Sequence, residues 1–172
     1  MKMLFLTCVA ALFCCAGCWF MREPENDPIE TYDLAVPQVR PVACAFTRVR
    51  NLAPGGMKML FREADGRIVE DVSKCWVQTP ETMLLRYLQS SFVPAAKPLV
   101  ELTLLRFELD RGRALAVLTC DCTVVRDGKL ASAAKRYEFT APLSTGASNA
   151  AAAMSVCAGQ LAETISKTLQ EK

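Results

Sequence analysis

The 172-residue chain contains no histidine. That removes Ser-His-Asp and Cys-His catalysis, because both need an imidazole to take the nucleophile's proton. Glycine-rich phosphate cradles and helical zinc signatures are missing too: no G-x-G-x-x-G, G-x-x-x-x-G-K-[ST] or H-E-x-x-H pattern occurs. The C-x₂-C spacing of zinc sites is also absent, so metal binding has little to draw on. Charge of one sign is scarce, with 20 Lys+Arg against 18 Asp+Glu and no run of four basic residues. Such a balance gives no electrostatic reason to bind nucleic acid or an anionic membrane surface. Beyond residue 21 no stretch is long and apolar enough to span a bilayer. Repeats and low-complexity tracts are absent as well.

What is present begins at residue 1. Lys2 gives a positive start, Met3 to Cys15 is apolar apart from Thr7, and Ala16-Gly17 stand directly before Cys18. This is the layout of a secretory signal peptide, and a cysteine behind the small pair offers a thiol for lipidation. The stretch resembles a bacterial lipobox with Cys18 as the acylated residue, although Cys15 stands where a leucine is usual. Two other readings stay open. Met3 to Met21 approaches the ~20 residues of an uncleaved spanning anchor, and an ordinary signal peptide could be cut nearby with Cys18 incidental. All three export the rest of the chain.

Removing residues 1–17 leaves 155, enough for one domain with a sizeable core, and the loss of Lys2 leaves 19 basic against 18 acidic side chains. Five cysteines then remain besides Cys18: Cys44, Cys75, Cys120, Cys122 and Cys157. An odd number cannot all pair within the chain. Cys120 and Cys122 fall on one face of a strand. Small buried hydrophobes are the default for such thiols, with one or two disulfides the alternative.

Residues 18–39 read as a flexible tether, with Pro24, Pro28 and Pro37 among Glu23, Glu25, Asp27 and Glu30, and ordered chain begins near Tyr32-Asp33-Leu34. A single domain follows over 40–172. Val42, Cys44 and Phe46 alternate along a first strand, Arg40 to Arg50. Ala64-Asp65-Gly66 turns a hairpin between Lys58–Glu63 and Arg67–Val72, whose second arm continues toward Trp76. Thr79, Pro80 and Glu81 open a helix with an apolar stripe at Met83, Leu84, Tyr87, Leu88 and Phe92, stopped by Pro94 and Pro98. Leu99–Asp110, Arg113–Arg126 and Ala134–Pro142 form a three-stranded antiparallel meander, with Leu105, Phe107 and Leu109 sharing a face. Ser144 to Gln170 closes the chain as a helix with Ala150, Met154, Cys157, Leu161, Ile165 and Leu169 inward. The fold expected is α+β: a two-layer sandwich of an antiparallel sheet with two helices on one face.

Chemistry-bearing residues are few. The carboxylates Asp65, Glu70, Asp71, Glu101, Glu108, Asp110 and Asp121 fall beside turns or on polar strand faces, where solvated charge is the default. The expectation is a non-enzyme, with no catalytic, cofactor or metal residues and Cys18 as the one functional position.

Several stretches carry a family likeness: Tyr32-Asp33-Leu34, Trp76-Val-Gln-Thr-Pro80 leading into Glu81-Thr-Met-Leu-Leu85, Val100-Glu-Leu-Thr-Leu-Leu-Arg-Phe-Glu108, Arg113-Ala-Leu-Ala-Val-Leu and the Ala-rich closing helix. With the order of elements, they resemble the ABC-type transport auxiliary lipoproteins, the PqiC-like group that works with MCE proteins. Cys15 and the number of cysteines depart from that pattern. The resemblance implies a periplasm-facing, lipid-anchored, non-catalytic auxiliary component of an intermembrane lipid transport system. Its implied partners are an MCE-domain protein, an inner-membrane permease and ATPase, and further copies of itself. Trp19 behind Cys18, in place of the Asp that retains some lipoproteins in the inner membrane, favours the outer membrane. The alternative is a stand-alone apolar-ligand-binding or envelope-assembly lipoprotein, of the lipopolysaccharide-transport or secretion-accessory type.

Cys18→Ala tests the leader. Because an acyl chain contributes about 0.8 kcal/mol per buried CH₂, this variant is expected to leave the membrane fraction or to stay unprocessed. Unchanged mass and unchanged membrane retention would instead support the uncleaved anchor.

Overall fold

The computed structural model describes residues 28–131, 133–144 and 147–171, so Cys18 and the leader lie outside the described residues. Its spine is the 19-residue strand β5, Phe92–Asp110. On one edge β5 pairs in parallel with two strands end to end. These are β2 (Arg40–Asn51), from Arg40↔Phe92 to Asn51↔Leu104, and β3 (Lys58–Arg62), through Phe61↔Leu109 and Arg62↔Asp110. On the other edge runs β6 (Leu115–Arg126), antiparallel from Leu99↔Val125 to Asp110↔Leu115. Beyond β6 lie β8 (Lys135–Pro142) and the two-residue β7 (Lys129–Leu130), both antiparallel to it. Beyond β3 come β4 (Ile68–Trp76), antiparallel, and β1 (Glu30–Tyr32), which is parallel to the end of β4.

The fold is α+β, but the eight-stranded sheet is mixed and open, so the expected simple antiparallel two-layer sandwich is corrected. The meander β5–β6–β8 is antiparallel as expected. The parallel pairs arise because helix α1 (Pro80–Ser91) carries the chain back to the beginning of β2, where Phe92 starts a strand running the same way. A parallel neighbour requires such a crossover, and a hairpin cannot supply it.

Local chemistry explains most element ends. Pro80 opens α1 after Thr79, whose backbone is extended; its hydroxyl meets Thr82 Oγ1 at 2.9 Å and caps nothing. The helix stops at Ser91, ahead of Pro94 and Pro98, and Phe92 is already extended at φ −129°, ψ 157°. Both prolines therefore lie inside β5, which begins seven residues before the expected Leu99. They are tolerated there because pairing with β6 starts only at Leu99, so this part of β5 has a ladder on one edge. Asp127 and Gly128, at φ 49° and 73°, make the tight turn from β6 into β7. Positive φ at both central positions matches the right-handed twist of the flanking strands.

One irregularity sets the faces of the sheet. Leu104 pairs with Cys120 and Arg106 with Thr119, leaving Leu105 as an extra residue in β5. This bulge shifts the alternation: Val100, Leu102 and Leu104 share the core face with Phe107 and Leu109, and Leu105 does not. The opposite face receives Arg106, Glu108 and Asp110.

Both helices contribute to one core. In α2 (Ala147–Gln170), Ala150, Met154, Cys157, Leu161 and Ile165 are buried, Leu169 is partly buried, and Ala152 is exposed. Gly159, poor for helix propensity, stands where α1 comes close; a Cβ there would lie 3.4 Å from Tyr87 Oη. Packed chain begins inside the 18–39 segment, close to Tyr32-Asp33-Leu34. Glu30–Tyr32 pairs with β4, Leu34 is buried, and the Ala35 amide donates to Ser155 Oγ of α2 at 2.9 Å. The last part of the 18–39 segment is thus strapped to the domain, because Leu34 offers apolar area that the preceding acidic residues lack.

Trp76 ends β4 with its side chain 1% exposed and its ring edge-on to Phe107 at 5.2 Å. Trp76→Ala is expected to cost roughly 3–5 kcal/mol of stability, read as a lower denaturant midpoint. A near-neutral result would contradict this packing.

Candidate functional site

The bulged half of β5 builds the most organised polar constellation among the described residues. Glu108 lies on the face opposite the core, yet its side chain is only 1% exposed. Arg62 Nε donates to Glu108 Oε1 at 2.7 Å and Nη2 to Oε2 at 3.0 Å, a two-pronged grip from β3. Arg106, two residues away on β5, donates to Oε1 through Nε at 3.0 Å and also through Nη2. Its Nη1 reaches Glu138 of β8 at 3.4 Å, and Thr119 Oγ1 donates to the same Glu138 oxygen at 3.3 Å. Asp110, also buried, accepts the Arg113 amide at 2.9 Å and Arg113 Nε at 2.7 Å. At the adjoining rim Arg111 stacks on the Phe61 ring at 4.0 Å and donates to Glu63 at 2.6 Å.

These pairings decide what the acids can do. Burial pushes the Glu108 carboxyl up, but hydrogen bonds from Arg62 and Arg106 outweigh it, so the group titrates below the ordinary carboxylate range. Asp110 is lowered in the same way, with Arg113 opposing the burial. Both are ionised at neutral pH, and both Glu108 oxygens are occupied. The arrangement suits a clamp joining β3, β5 and β8, because a general acid needs a raised value. Solvated charge was the expectation for Glu108 and Asp110. They are instead desolvated and paired, because the bulge turns them toward arginines on neighbouring strands. The only available cue was the Arg-Phe-Glu-Leu-Asp alternation of residues 106–110.

A second feature is apolar. Between Cys44 and Ala45, β2 advances one residue while its partner in β5 jumps from Pro94 to Leu99. The resulting excursion leaves an open groove of about 290 Å³ lined by Cys44, Phe46, Gln89, Phe92, Pro94 and Ala95. Gln89 Nε2 is spent on the Phe46 carbonyl at 3.2 Å, so the groove walls are effectively hydrophobic.

All five cysteines of the described domain are free thiols. Burial pushes Cys44 and Cys122 up to about 11, and Cys120 and Cys157 up to about 12. These four buried thiols are therefore protonated and unreactive at neutral pH. Cys157 Sγ lies 3.7 Å from the Ala116 carbonyl, joining α2 to β6. Cys120 and Cys122 do share the core face of β6, as their spacing predicts.

Mixed-sheet α+β domains of this arrangement occur among solved structures. One crystal structure, of an uncharacterized protein, superposes with a TM-score of 0.67 at 13% identity, covering 83% of this chain and 99% of the other. Protein XCC0632 from Xanthomonas campestris, assigned to family DUF330, gives a TM-score of 0.65 at 17% identity, covering 83% and 95%. At these identities the likeness is one of fold. No family model and no curated protein matches the chain.

The Glu108 clamp has a pH signature. Its folded value is lowered, so its contribution to stability is complete above the unfolded value of about 4.3 and is lost as pH falls through the folded value. Arg62→Met removes one of two charged partners and is expected to cost about 1.5–3 kcal/mol at pH 7. The deficit should shrink in acid, where a protonated Glu108 no longer needs the guanidinium. Equal losses at pH 7 and pH 3, by denaturant unfolding, would contradict the clamp.

Proposed function

We propose that this chain is a membrane-anchored periplasmic lipoprotein, a non-catalytic auxiliary component of an ABC/MCE-type intermembrane lipid transport system. The observation that carries the proposal is the fold, shared over 83% of this chain and 95% of a DUF330 protein, DUF330 being the PqiC-like group. The lipobox-like leader and the sequence resemblances within residues 32–118 support the same reading independently of the fold. In this role Cys18 carries the lipid at the outer membrane, and the domain docks an MCE-domain protein served by an inner-membrane permease and ATPase. The paired acids and protonated thiols fit a part that assembles and does no chemistry.

A second reading, a stand-alone apolar-ligand-binding or envelope-assembly lipoprotein, draws on the hydrophobic groove beside Phe46 and Phe92. Crosslinking in intact cells separates the two. Affinity purification of the crosslinked lipoprotein is expected to recover an MCE-domain protein. Its consistent absence, with the lipoprotein itself recovered in good yield, would favour the second reading.

A further inference from the structure

Twelve large hydrophobic side chains are exposed among the described residues, and they are unevenly spread. Six lie along one border of the sheet: Ile29, Met57, Ile68, Val69, Val72 and Val77. Topology places them together. Ile29 precedes β1, whose Glu30 pairs with Lys74, two residues after Val72. The Val77 amide donates to the Tyr32 carbonyl, and the Trp76 amide to that of Met57. Ile68 and Val69 begin the same strand β4.

Val72 is the most prominent of the six, at 78% exposed, and its exposure is built in. The pairing of β4 with β3 slips between Lys58↔Cys75 and Leu60↔Glu70, giving β4 three extra residues there. Asp71 fastens this bulge by accepting the Ser73 amide at 3.0 Å and the Ser73 hydroxyl at 2.8 Å, which leaves Val72 projecting outward. A bulge of this kind also deters strand addition to the edge.

The charges along this border are spent on one another. Lys58 pairs with Glu70 at 3.0 Å, Arg67 with Asp65 at 2.5 Å and Lys74 with Asp71 at 3.2 Å, while Glu30 accepts the Tyr32 hydroxyl. An apolar surface with no surplus charge does not select a charged partner.

The position of the border in the chain indicates what covers it. Ile29 is where the proposed anchoring segment enters the domain, and only ten residues stand between it and Cys18. Even fully extended, that span reaches about 40 Å. We infer that this edge, β1 with β4, is the surface that the domain lays on its own membrane, with Ile29 and Val72 at the boundary between headgroups and acyl chains. The inference rests on the proposed lipid anchor at Cys18 and adds a second, non-covalent contact. The contact is shallow, because among the described residues β4 from Ile68 to Ser73 has no strand on its outer side, and an open sheet edge does not enter hydrocarbon. The β6–β7 tip then points away from the bilayer, since Leu130 pairs with Val125, whose partner Leu99 lies at the other end of the β5–β6 ladder.

Tryptophan scanning tests this orientation. In a Trp19→Phe parent, Val72→Trp and Leu130→Trp place one probe at each end of the domain, both at exposed positions. Full-length lipoprotein is reconstituted in phosphatidylcholine vesicles carrying bromine at a shallow or a deep acyl position. The Val72→Trp signal, taken as the difference from the parent so that buried Trp76 cancels, is expected to shift to the blue. Shallow bromine should quench it at least twofold more than deep bromine, and Leu130→Trp should report water throughout. A Val72→Trp signal in water, or quenching at Leu130→Trp, overturns the inference. A blue shift without bromine quenching also overturns it and assigns the edge to a protein, a second copy included. Mass spectrometry of the same sample keeps the two readings apart. Missing acylation defeats the anchor and the seat with it, whereas an acylated protein with Val72→Trp in water defeats the seat alone.

Discussion

A single extra residue, Leu105 in β5, governs the arrangement of this domain. Side chains alternate along a strand with a period of two, so one inserted residue exchanges the faces of everything that follows. Before the bulge, Val100, Leu102 and Leu104 meet Val124, Cys122 and Cys120 in the core. After it, Phe107 and Leu109 keep that face, and Phe107 receives the edge of Trp76. Without the bulge, Arg106, Glu108 and Asp110 would point into the hydrophobic core, where unpaired charges are prohibitively costly. With it they form the clamp on the other side. The same insertion thus protects the core and places the carboxylate between two arginines.

Glu108 shows how a charge can be buried without being stranded. Arg62 belongs to β3 and Arg106 to β5, and the second also contacts Glu138 in β8. Strand β3, which meets β5 by a short ladder, and β8, which pairs with β6, are both tied to β5 through this cluster. The net worth of such a cluster is small compared with its geometric consequence, since desolvation offsets most of the attraction. Its effect is to hold the short β3 at the end of β5, where only two residue pairs define the ladder.

Much of this fold is legible in the residues themselves. Asp65-Gly66 and Asp127-Gly128 mark turns that form, Thr79-Pro80 marks the start of α1, and the 3.6-residue spacing from Ala150 to Ile165 marks the buried face of α2. What escapes a sequence reading is non-local. Parallel pairing of β2 with β5 depends on where α1 delivers the chain, and no periodicity in either strand encodes that. Pro94 and Pro98 look like breaks, and only a one-sided ladder makes them acceptable within a strand. The bulge at Leu105 is invisible because Leu104 and Leu105 are equally apolar, so either could face inward. The clamp was illegible for the same reason, since its members lie on three strands. Cys18 is the reverse case: a position read entirely from local pattern, outside the described residues.

The strap formed by residues 30–35 bears on how the domain can assemble. The Ser155 hydroxyl that receives the Ala35 amide lies 120 residues further along, in the last helix of the chain. Strand β1 needs β4, β2 needs β5, and β3 needs the far end of β5, so the first elements all wait for later ones. Loop closure over such separations slows folding and makes it depend on the whole chain being present. An emerging N-terminal half therefore lacks β5, the strand on which both β2 and β3 pair. If the chain is exported as proposed, that delay is useful: the contact order of the fold itself keeps the chain threadable until its C-terminal helix arrives.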